Sequence, residues 1–273
     1  MNISNTHIAI LGAGNIGGAI ARGLVHAGLL PADRITLTRR KLESLEPLKS
    51  SGFTTTVSNP EALRNADLVF IAVTPQQLNP LLAEIKGILD RNRHTVISIV
   101  SGATIAEIRA QLADGVPVIR AMPNTAIAIR ESMTCLSAES GNPGALPVVK
   151  EIFDALGRTL IIDEALMIPA TALCACGIAF FLRAIRAASQ GGIEIGFHAE
   201  DALLMAAQTA RGAASLLVEA GNHPEKEVDK VTTPQGCTIS GLNQMEHNGF
   251  SSAMIKGIVT SAEKAAVLYA PRA

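Results

Sequence analysis

The sequence predicts an α/β fold in two parts, a doubly wound sheet followed by an all-helical domain. Three observations predict it. Short apolar runs alternate with helical stretches as far as Asp163. The first of those runs leads into a glycine-rich turn. After Asp163 no strand pattern returns and only helical stretches remain.

The expected strands are Ile8–Leu11, Ile35–Thr38, Leu68–Val73, Thr95–Val100, Val118–Ala121, Met133–Ser137 and Thr159–Ile162. Helices fit between most of them, for instance Ala19–Ala27, Gln77–Ile88 and Ile105–Leu112. This is the βαβ rhythm. Beyond it, Ala170–Gly192, Ala199–Ala220 and Ser251–Leu268 read as helices, with Gly221-Asn222-His223-Pro224 as a break. The expected division is a domain over residues 1–163 and a second over 164–273.

The stretch His7–Gly17, HIAILGAGNIG, runs from an apolar strand into Gly12-x-Gly14-x-x-Gly17 and on into a helix of small residues. Gly12 permits the tight turn, Gly14 lets the backbone approach a pyrophosphate, and Gly17 lets helix and strand pack closely. Asn15 and Ile16 open the helix, whose N-terminus faces the anion. The glycine spacing alone is weak; the strand–turn–helix context makes it a dinucleotide fingerprint, and the first domain Rossmann-like. The other reading is a glycine-rich turn in an unrelated α/β protein.

The second strand points to the cofactor. A domain that prefers NAD usually ends this strand with Asp or Glu on the ribose 2′-hydroxyl. Here the chain reads Thr38-Arg39-Arg40-Lys41. No carboxylate repels a 2′-phosphate, and the guanidinium of Arg39 or Arg40 can fork onto one, so NADP(H) is expected ahead of NAD(H). Arg39 lies nearer the strand end and is the first choice. The alternative is a solvated basic turn.

Composition excludes several classes. Net charge is −1, aromatics are 3% and Trp is absent, so there is no electrostatic footprint or stacking platform for nucleic acid. Cys135, Cys174, Cys176 and Cys237 have no metal-ligand spacing, and no histidine is assigned to a metal. Reduced thiols in a cytoplasmic protein are the expectation, with no signal peptide evident. The run Ala165–Leu182 carries no charge and reaches the lower edge of membrane-spanning length. Pro169, Gly177 and its small residues favour instead a helix buried in an oligomer. Leu203–Val218 is apolar on several sides and needs several neighbours, which points to an intertwined homodimer or larger assembly.

Four further motifs share one register. They are Ala72-Val73-Thr74-Pro75-Gln76, Ile97-Ser98-Ile99-Val100-Ser101-Gly102, Arg120-Ala121-Met122-Pro123-Asn124-Thr125, and Val231-Thr232-Thr233-Pro234-Gln235-Gly236-Cys237-Thr238. Together they resemble the pyrroline-5-carboxylate reductase family over nearly the whole chain. The resemblance implies an NAD(P)H-dependent oxidoreductase acting on a cyclic C=N bond in the last step of proline biosynthesis. It also implies a Rossmann-like domain followed by a helical dimerisation domain.

Carried over residue by residue, Thr238 would hydrogen-bond the ring nitrogen. The loop from Thr233, through backbone amides near Gly236, Cys237 and Thr238, would hold the substrate carboxylate. Met122, Pro123 and Asn124 would face the nicotinamide and substrate. Ala72, Val73 and Pro75 would line the cofactor, with Asn59 at its adenosine end. The chemistry is consistent without the name, since imine reduction needs a hydride donor and a polar contact to the nitrogen, but no metal and no nucleophile. A Thr hydroxyl is a poor acid, so the proton comes from solvent or a protonated imine. On the residues alone Thr238 also reads as the N-cap of a helix from Ile239, and MPNT as an ordinary strand-end turn.

The sequence departs from the family at several places. Thr74 replaces a lysine. A stretch like SGSGPAY stands here as Cys174-Ala175-Cys176-Gly177-Ile178-Ala179-Phe180. Lys230 replaces an asparagine, and Gln235 or its neighbour replaces a glycine of PGG. These keep two alternatives open. One is a related imine or keto-acid reductase with a shifted substrate, and the other a cofactor-binding regulatory protein that has lost turnover.

Overall fold

The computed structural model describes residues 3–139 and 144–269. The strands are β1 (Ile8–Leu11), β2 (Ile35–Thr38), β3 (Thr54–Thr56), β4 (Leu68–Ile71), β5 (Thr95–Ser98), β6 (Val118–Met122), β7 (Ser132–Ala138) and β8 (Gly157–Ile161). They form one sheet in the order β3-β2-β1-β4-β5-β6-β7-β8. Every pair is parallel except β6–β7. Only a short 3-10 turn, Thr125–Ile129, separates β6 from β7. A parallel crossover needs a dozen or more residues, so this pair runs antiparallel.

The helices among the strands are α1 (Asn15–His26), α2 (Glu46–Ser50), α3 (Asn59–Leu63), α4 (Pro75–Ile85), α5 (Ile105–Arg109) and α6 (Leu146–Asp154). They follow as α7 (Met167–Ala170), α8 (Gly177–Glu194), α9 (Ala199–Ala220), α10 (Pro224–Val231), α11 (Cys237–His247) and α12 (Phe250–Ala266). All strands among the described residues end by Ile161, in agreement with the predicted change of architecture.

Central strands β1 and β4 are buried along their whole length. They read as continuous apolar runs because helices cover both faces of the sheet. Alternation sorts their side chains between two cores. Ile8 and Ile10 of β1 join Ile20 and Leu24 of α1 and Phe153 of α6 on one face. Ala9 and Leu11 join Leu78 and Leu82 of α4 and Ile108 of α5 on the other. Phe70 and Phe153 meet across the first core with ring centroids 6.1 Å apart.

Several expected boundaries move. The strands expected to Val73 and Val100 stop at Ile71 and Ser98. Helix α1 begins at Asn15, four residues before Ala19, because the small residues Gly17, Gly18 and Ala19 are buried against the sheet. Strand β3 was not expected at all. Its three threonines form an edge paired to β2 with no apolar run to announce it. The single helix expected over Ala170–Gly192 is three pieces. They are α7, a π-helical segment Thr171–Cys176, and α8.

By compactness the chain forms two units, residues 1–176 with 261–273, and residues 177–260. Within the first, Tyr269 returns to the sheet side, its hydroxyl donating to Asn79 Oδ1 at 2.7 Å. Within the second, α8 and α9 approach closely enough that a Cβ on Gly192 would lie 3.0 Å from that of Ala202. Few of its side chains are buried, while Phe181, Leu182, Leu204, Leu216 and Ile255 are more than half exposed. Such apolar surface on a bundle needs a cover.

Candidate active site

The turn after β1 has the three features a dinucleotide cradle requires. Gly12 has φ +99°, and a Cβ there would lie 2.6 Å from the carbonyl oxygen of Ala72. A Cβ on Gly17 would lie 2.5 Å from the Gly12 carbonyl oxygen. Around Gly14 nothing lies within 4 Å of that position, so the backbone is open where a pyrophosphate must approach. Gly14 is also the N-cap of α1 and offers no side chain to its first N–H groups. Asn15 is exposed and Ile16 half-buried at the same helix start. These residues therefore fit a dinucleotide phosphate.

Thr38 ties this turn to the end of β2. Its carbonyl accepts from Ala13 N at 2.8 Å, and its hydroxyl oxygen accepts from Gly12 N at 3.3 Å. The hydroxyl donates to Asn59 Oδ1 at 2.7 Å, and Asn59 Nδ2 donates to Glu84 Oε2 at 2.9 Å. Asn59 thus has both ends of its amide engaged within the chain. Arg39 and Arg40 are exposed beyond Thr38. With the Gln77 amide oxygen turned toward it, Arg40 donates through two nitrogens at 2.6 and 3.2 Å. Arg39 has no side-chain partner among the described residues, which leaves its guanidinium the freer of the two. Ala72, Val73 and Pro75 are half-buried at the end of β4 and the start of α4.

At the end of β6, Met122, Pro123 and Asn124 are all buried. Asn124 is held at three points. Its N–H donates to Ser132 Oγ at 3.1 Å, its Oδ1 accepts from Ala126 N at 3.0 Å, and its Nδ2 donates to the Cys174 carbonyl at 3.3 Å. Four residues upstream of Asn124 stands Arg120, only 2% exposed. Its Nη1 lies 3.2 Å from Glu164 Oε1, and the same oxygen accepts from Ile105 N at 2.6 Å. Burial lowers the Arg120 pKa, while Glu164 and Glu107 oppose that shift. The ion pair joins β6, the start of α5 and the chain leaving β8. Sequence reasoning places Arg120 inside a motif but gives it no role at the site. The available signal was a lone charge in the apolar strand VIRAM.

The second unit supplies the loop between α10 and α11. Gly236 N donates to the Thr233 carbonyl at 2.9 Å, closing a turn with Pro234 second and Gln235 third. Gln235 has φ +59°, the left-handed conformation of a glycine position. So the glycine replaced in this chain is at 235, and the turn survives the replacement. A Cβ on Gly236 would lie 2.5 Å from Thr233 Oγ1 and 3.0 Å from the Thr233 carbonyl oxygen, so a larger residue there would require the Thr233 side chain to move. Helix α11 begins at Cys237 with Gly236 as N-cap. This overturns the capping role of Thr238, which is the second residue of the helix and half-buried. The hydroxyl of Thr238 has no partner among the described residues.

A non-glycine residue held left-handed costs about 1 kcal/mol, partly offset by the greater freedom of glycine in the unfolded chain. Gln235→Gly is therefore expected to raise unfolding stability by up to about 0.5 kcal/mol in denaturant titration. A fall in stability would mean that the Gln235 side chain holds the turn through contacts of its own.

A doubly wound sheet with an open glycine cradle defines the class of dinucleotide-binding proteins. The particular family follows from comparison with known proteins. Residues 164–268 match the family described as pyrroline-5-carboxylate reductase dimerisation. Residues 7–102 match the one described as NADP oxidoreductase, coenzyme F420-dependent. The chain is 55% identical to pyrroline-5-carboxylate reductase 1 of Dictyostelium discoideum, over 98% of this chain but 51% of that protein, so it spans about half that relative's length. It is 50% identical to pyrroline-5-carboxylate reductase 2 of the same organism, over 96% of this chain and 92% of that one. Two solved structures superpose with TM-score 0.89. One is the Plasmodium falciparum pyrroline carboxylate reductase with NADP bound, at 23% identity over 98% of this chain and 100% of that chain. The other is the reductase of Coxiella burnetii, at 28% identity over the same shares of the two chains. The chain belongs to the pyrroline-5-carboxylate reductase family.

The helical run Glu164–Glu194 is long and apolar enough to cross a membrane, and 28% of its most apolar window is buried within the protomer. It falls wholly inside the match to the dimerisation family.

Proposed function

We propose that this chain reduces 1-pyrroline-5-carboxylate to L-proline with NADPH. The single observation that carries the assignment of roles is the start of α11. Gly236 caps it with no side-chain hydrogen bond, so its first N–H groups have no intrahelical acceptor, and Thr238 is its second residue. That arrangement suits a carboxylate next to a ring nitrogen. Backbone amides near Gly236, Cys237 and Thr238, with the loop from Thr233, hold the substrate carboxylate. Thr238 orients the nitrogen as its charge changes. Met122, Pro123 and Asn124 shape the side of the site toward the nicotinamide. Gly12, Gly14, Asn15, Ile16 and Gly17 bind the pyrophosphate, Arg39 and Arg40 the 2′-phosphate, and Asn59, Ala72, Val73 and Pro75 the rest of the cofactor. When bound, the reduced nicotinamide supplies a hydride. The proton comes from solvent or an already protonated imine, because Thr238 is too weak an acid.

The same reading assigns cofactor binding to residues 1–163, and substrate binding and dimerisation to 164–273. It makes the enzyme a cytoplasmic homodimer or larger assembly. The exposed apolar side chains of the second unit and the four unbridged cysteines support it.

The deciding experiment is NADPH oxidation, followed by loss of absorbance, with 1-pyrroline-5-carboxylate and with piperideine-6-carboxylate. Turnover of the first at a higher kcat/KM is the expected result. Preference for the second would identify a related imine reductase. NADPH binding with neither substrate consumed would identify a protein that has lost turnover.

A further inference from the structure

The proposed site rests on a pair of thiols that its chemistry does not use. Cys135 lies on β7, opposite Met122 in the antiparallel β6–β7 register. Cys174 lies in the π-helical segment, and its carbonyl holds the Asn124 side chain at 3.3 Å. Both pack in one small apolar cluster with Met122, Met167 and Ala170. Cys135 is 3% exposed, whereas Cys174 is half-buried in the protomer. The strand register, the Asn124 contact and the shared cluster bring the two residues to the same side of Met122 and Asn124.

We propose that Cys135 and Cys174 form a peroxide-sensitive pair whose oxidation to a disulfide lowers turnover by displacing Met122 and Asn124. This rests on the reading that these residues shape the substrate side of the site.

The environments of the two sulfurs set the order of events. The hydrogen bond from Cys135 lowers the pKa of Cys174 to about 7, against the opposing effect of burial. The pKa of Cys135 is raised by the same hydrogen bond and by burial. The Cys174 thiolate therefore attacks first, at one oxygen of a hydroperoxide such as hydrogen peroxide. The O–O bond breaks, the sulfur becomes a sulfenic acid, and the departing hydroxide takes a proton to leave as water. Cys135 then attacks the sulfenic sulfur. The S–S bond forms, the S–O bond breaks, and the Cys135 proton leaves with the hydroxyl as a second water. The net change is two thiols and one peroxide to one disulfide and two waters.

A disulfide holds its sulfurs at about 2.05 Å, closer than any contact between two thiols. Closing the pair draws the π-helical segment toward β7. That moves the Cys174 carbonyl against Asn124 and presses on Met122 through the shared cluster. A π-helical segment can take up such a shift more readily than a regular helix. The glycine cradle on β1 and α1 has no part in this cluster, so the phosphate contacts that anchor the cofactor are spared.

The test treats the purified enzyme with hydrogen peroxide and reads three quantities in parallel. They are the Cys135–Cys174 cross-linked peptide by non-reducing mass spectrometry, NADPH affinity, and turnover. Expected are the linked peptide, NADPH affinity within about two-fold, and a turnover loss on the order of ten-fold that dithiothreitol reverses. Cys174→Ser restores the residue type of the family stretch and is expected to keep turnover under peroxide. Cys176→Ser is expected to lose it like the parent. Absence of the linked peptide, or an equal loss in Cys174→Ser, overturns the proposal and leaves the assigned function standing. A linked peptide with unchanged turnover overturns the regulatory effect and removes Met122 and Asn124 from the substrate side. The peptide readout needs no turnover, so it stands apart from the assignment of the reaction.

Discussion

Thr238→Val is expected to lower kcat by about ten- to a few hundred-fold, with NADPH affinity and melting temperature unchanged. Valine keeps the volume and the β-branch and removes only the hydroxyl. A contact that strengthens as charge changes on the imine nitrogen acts in the transition state, so its loss falls on kcat and not on KM alone. The lost barrier-lowering is about 1.4–3 kcal/mol, modest because hydride transfer is the cofactor's own chemistry. The capping alternative, with its loss of about 1 kcal/mol in stability, is removed because Gly236 occupies the N-cap. Thr238→Ser restores a hydroxyl on a freer side chain and is expected to recover most of the lost turnover. Stopped-flow and steady-state kinetics on the two variants, with one thermal melt each, give the comparison. Normal kcat in Thr238→Val would take Thr238 out of the catalytic machinery.

What the sequence disclosed follows from how local each feature is. The glycine cradle was legible because strand, turn and helix are contiguous, and each glycine has its own steric reason within a few residues of chain. Helix α9 was legible to both ends, Ala199 and Ala220, because its long run stops at Gly221 in a left-handed C-terminal cap. Strand β3 was not, since three threonines at a sheet edge carry no apolar signal. The π-helical insertion at Thr171–Cys176 was hidden because small apolar residues on every side leave no face whose phase could slip. The cap alternative for Thr238 fails because glycine is also an acceptable N-cap, and the Pro234–Gln235 turn starts the helix two residues earlier than Ile239.

The least legible parts of the site are pairs far apart in sequence. Arg120 meets Glu164, and Cys135 meets Cys174, only once the sheet has brought β6 and β7 under the chain leaving β8. A charge inside VIRAM signals that some carboxylate must come to it, because a buried guanidinium without a partner is costly. It does not say which of the many carboxylates does so. The family motif locates Met122–Asn124 but is silent on what holds it. Packing supplies that, through the Cys174 carbonyl, Ser132 and the strand register with Cys135.

Arg39→Ala is expected to weaken NADPH binding by about ten- to a hundred-fold and to leave NADH binding nearly unchanged. The 2′-phosphate is the only difference between the two cofactors, so the ratio of their dissociation constants isolates the contact. A charge-assisted hydrogen bond contributes about 1.5–3 kcal/mol, which sets the size of the effect. The structure ranks the two arginines. Arg40 already donates to Gln77 through two nitrogens, whereas Arg39 has no side-chain partner among the described residues. Arg40→Ala is accordingly expected to cost NADPH less than Arg39→Ala does. Gln77→Ala, which frees Arg40, is expected to shift NADPH affinity by only a few-fold, within the range of one ordinary hydrogen bond of about 1 kcal/mol. Fluorescence titration with both cofactors against the three variants measures all of these ratios. Because Arg39 is exposed, its removal has no reason to disturb the fold. An equal loss of NADPH and NADH in Arg39→Ala would show that it supports the β2 turn and does not read the phosphate. A larger loss in Arg40→Ala would instead assign the phosphate to the arginine that Gln77 holds in place.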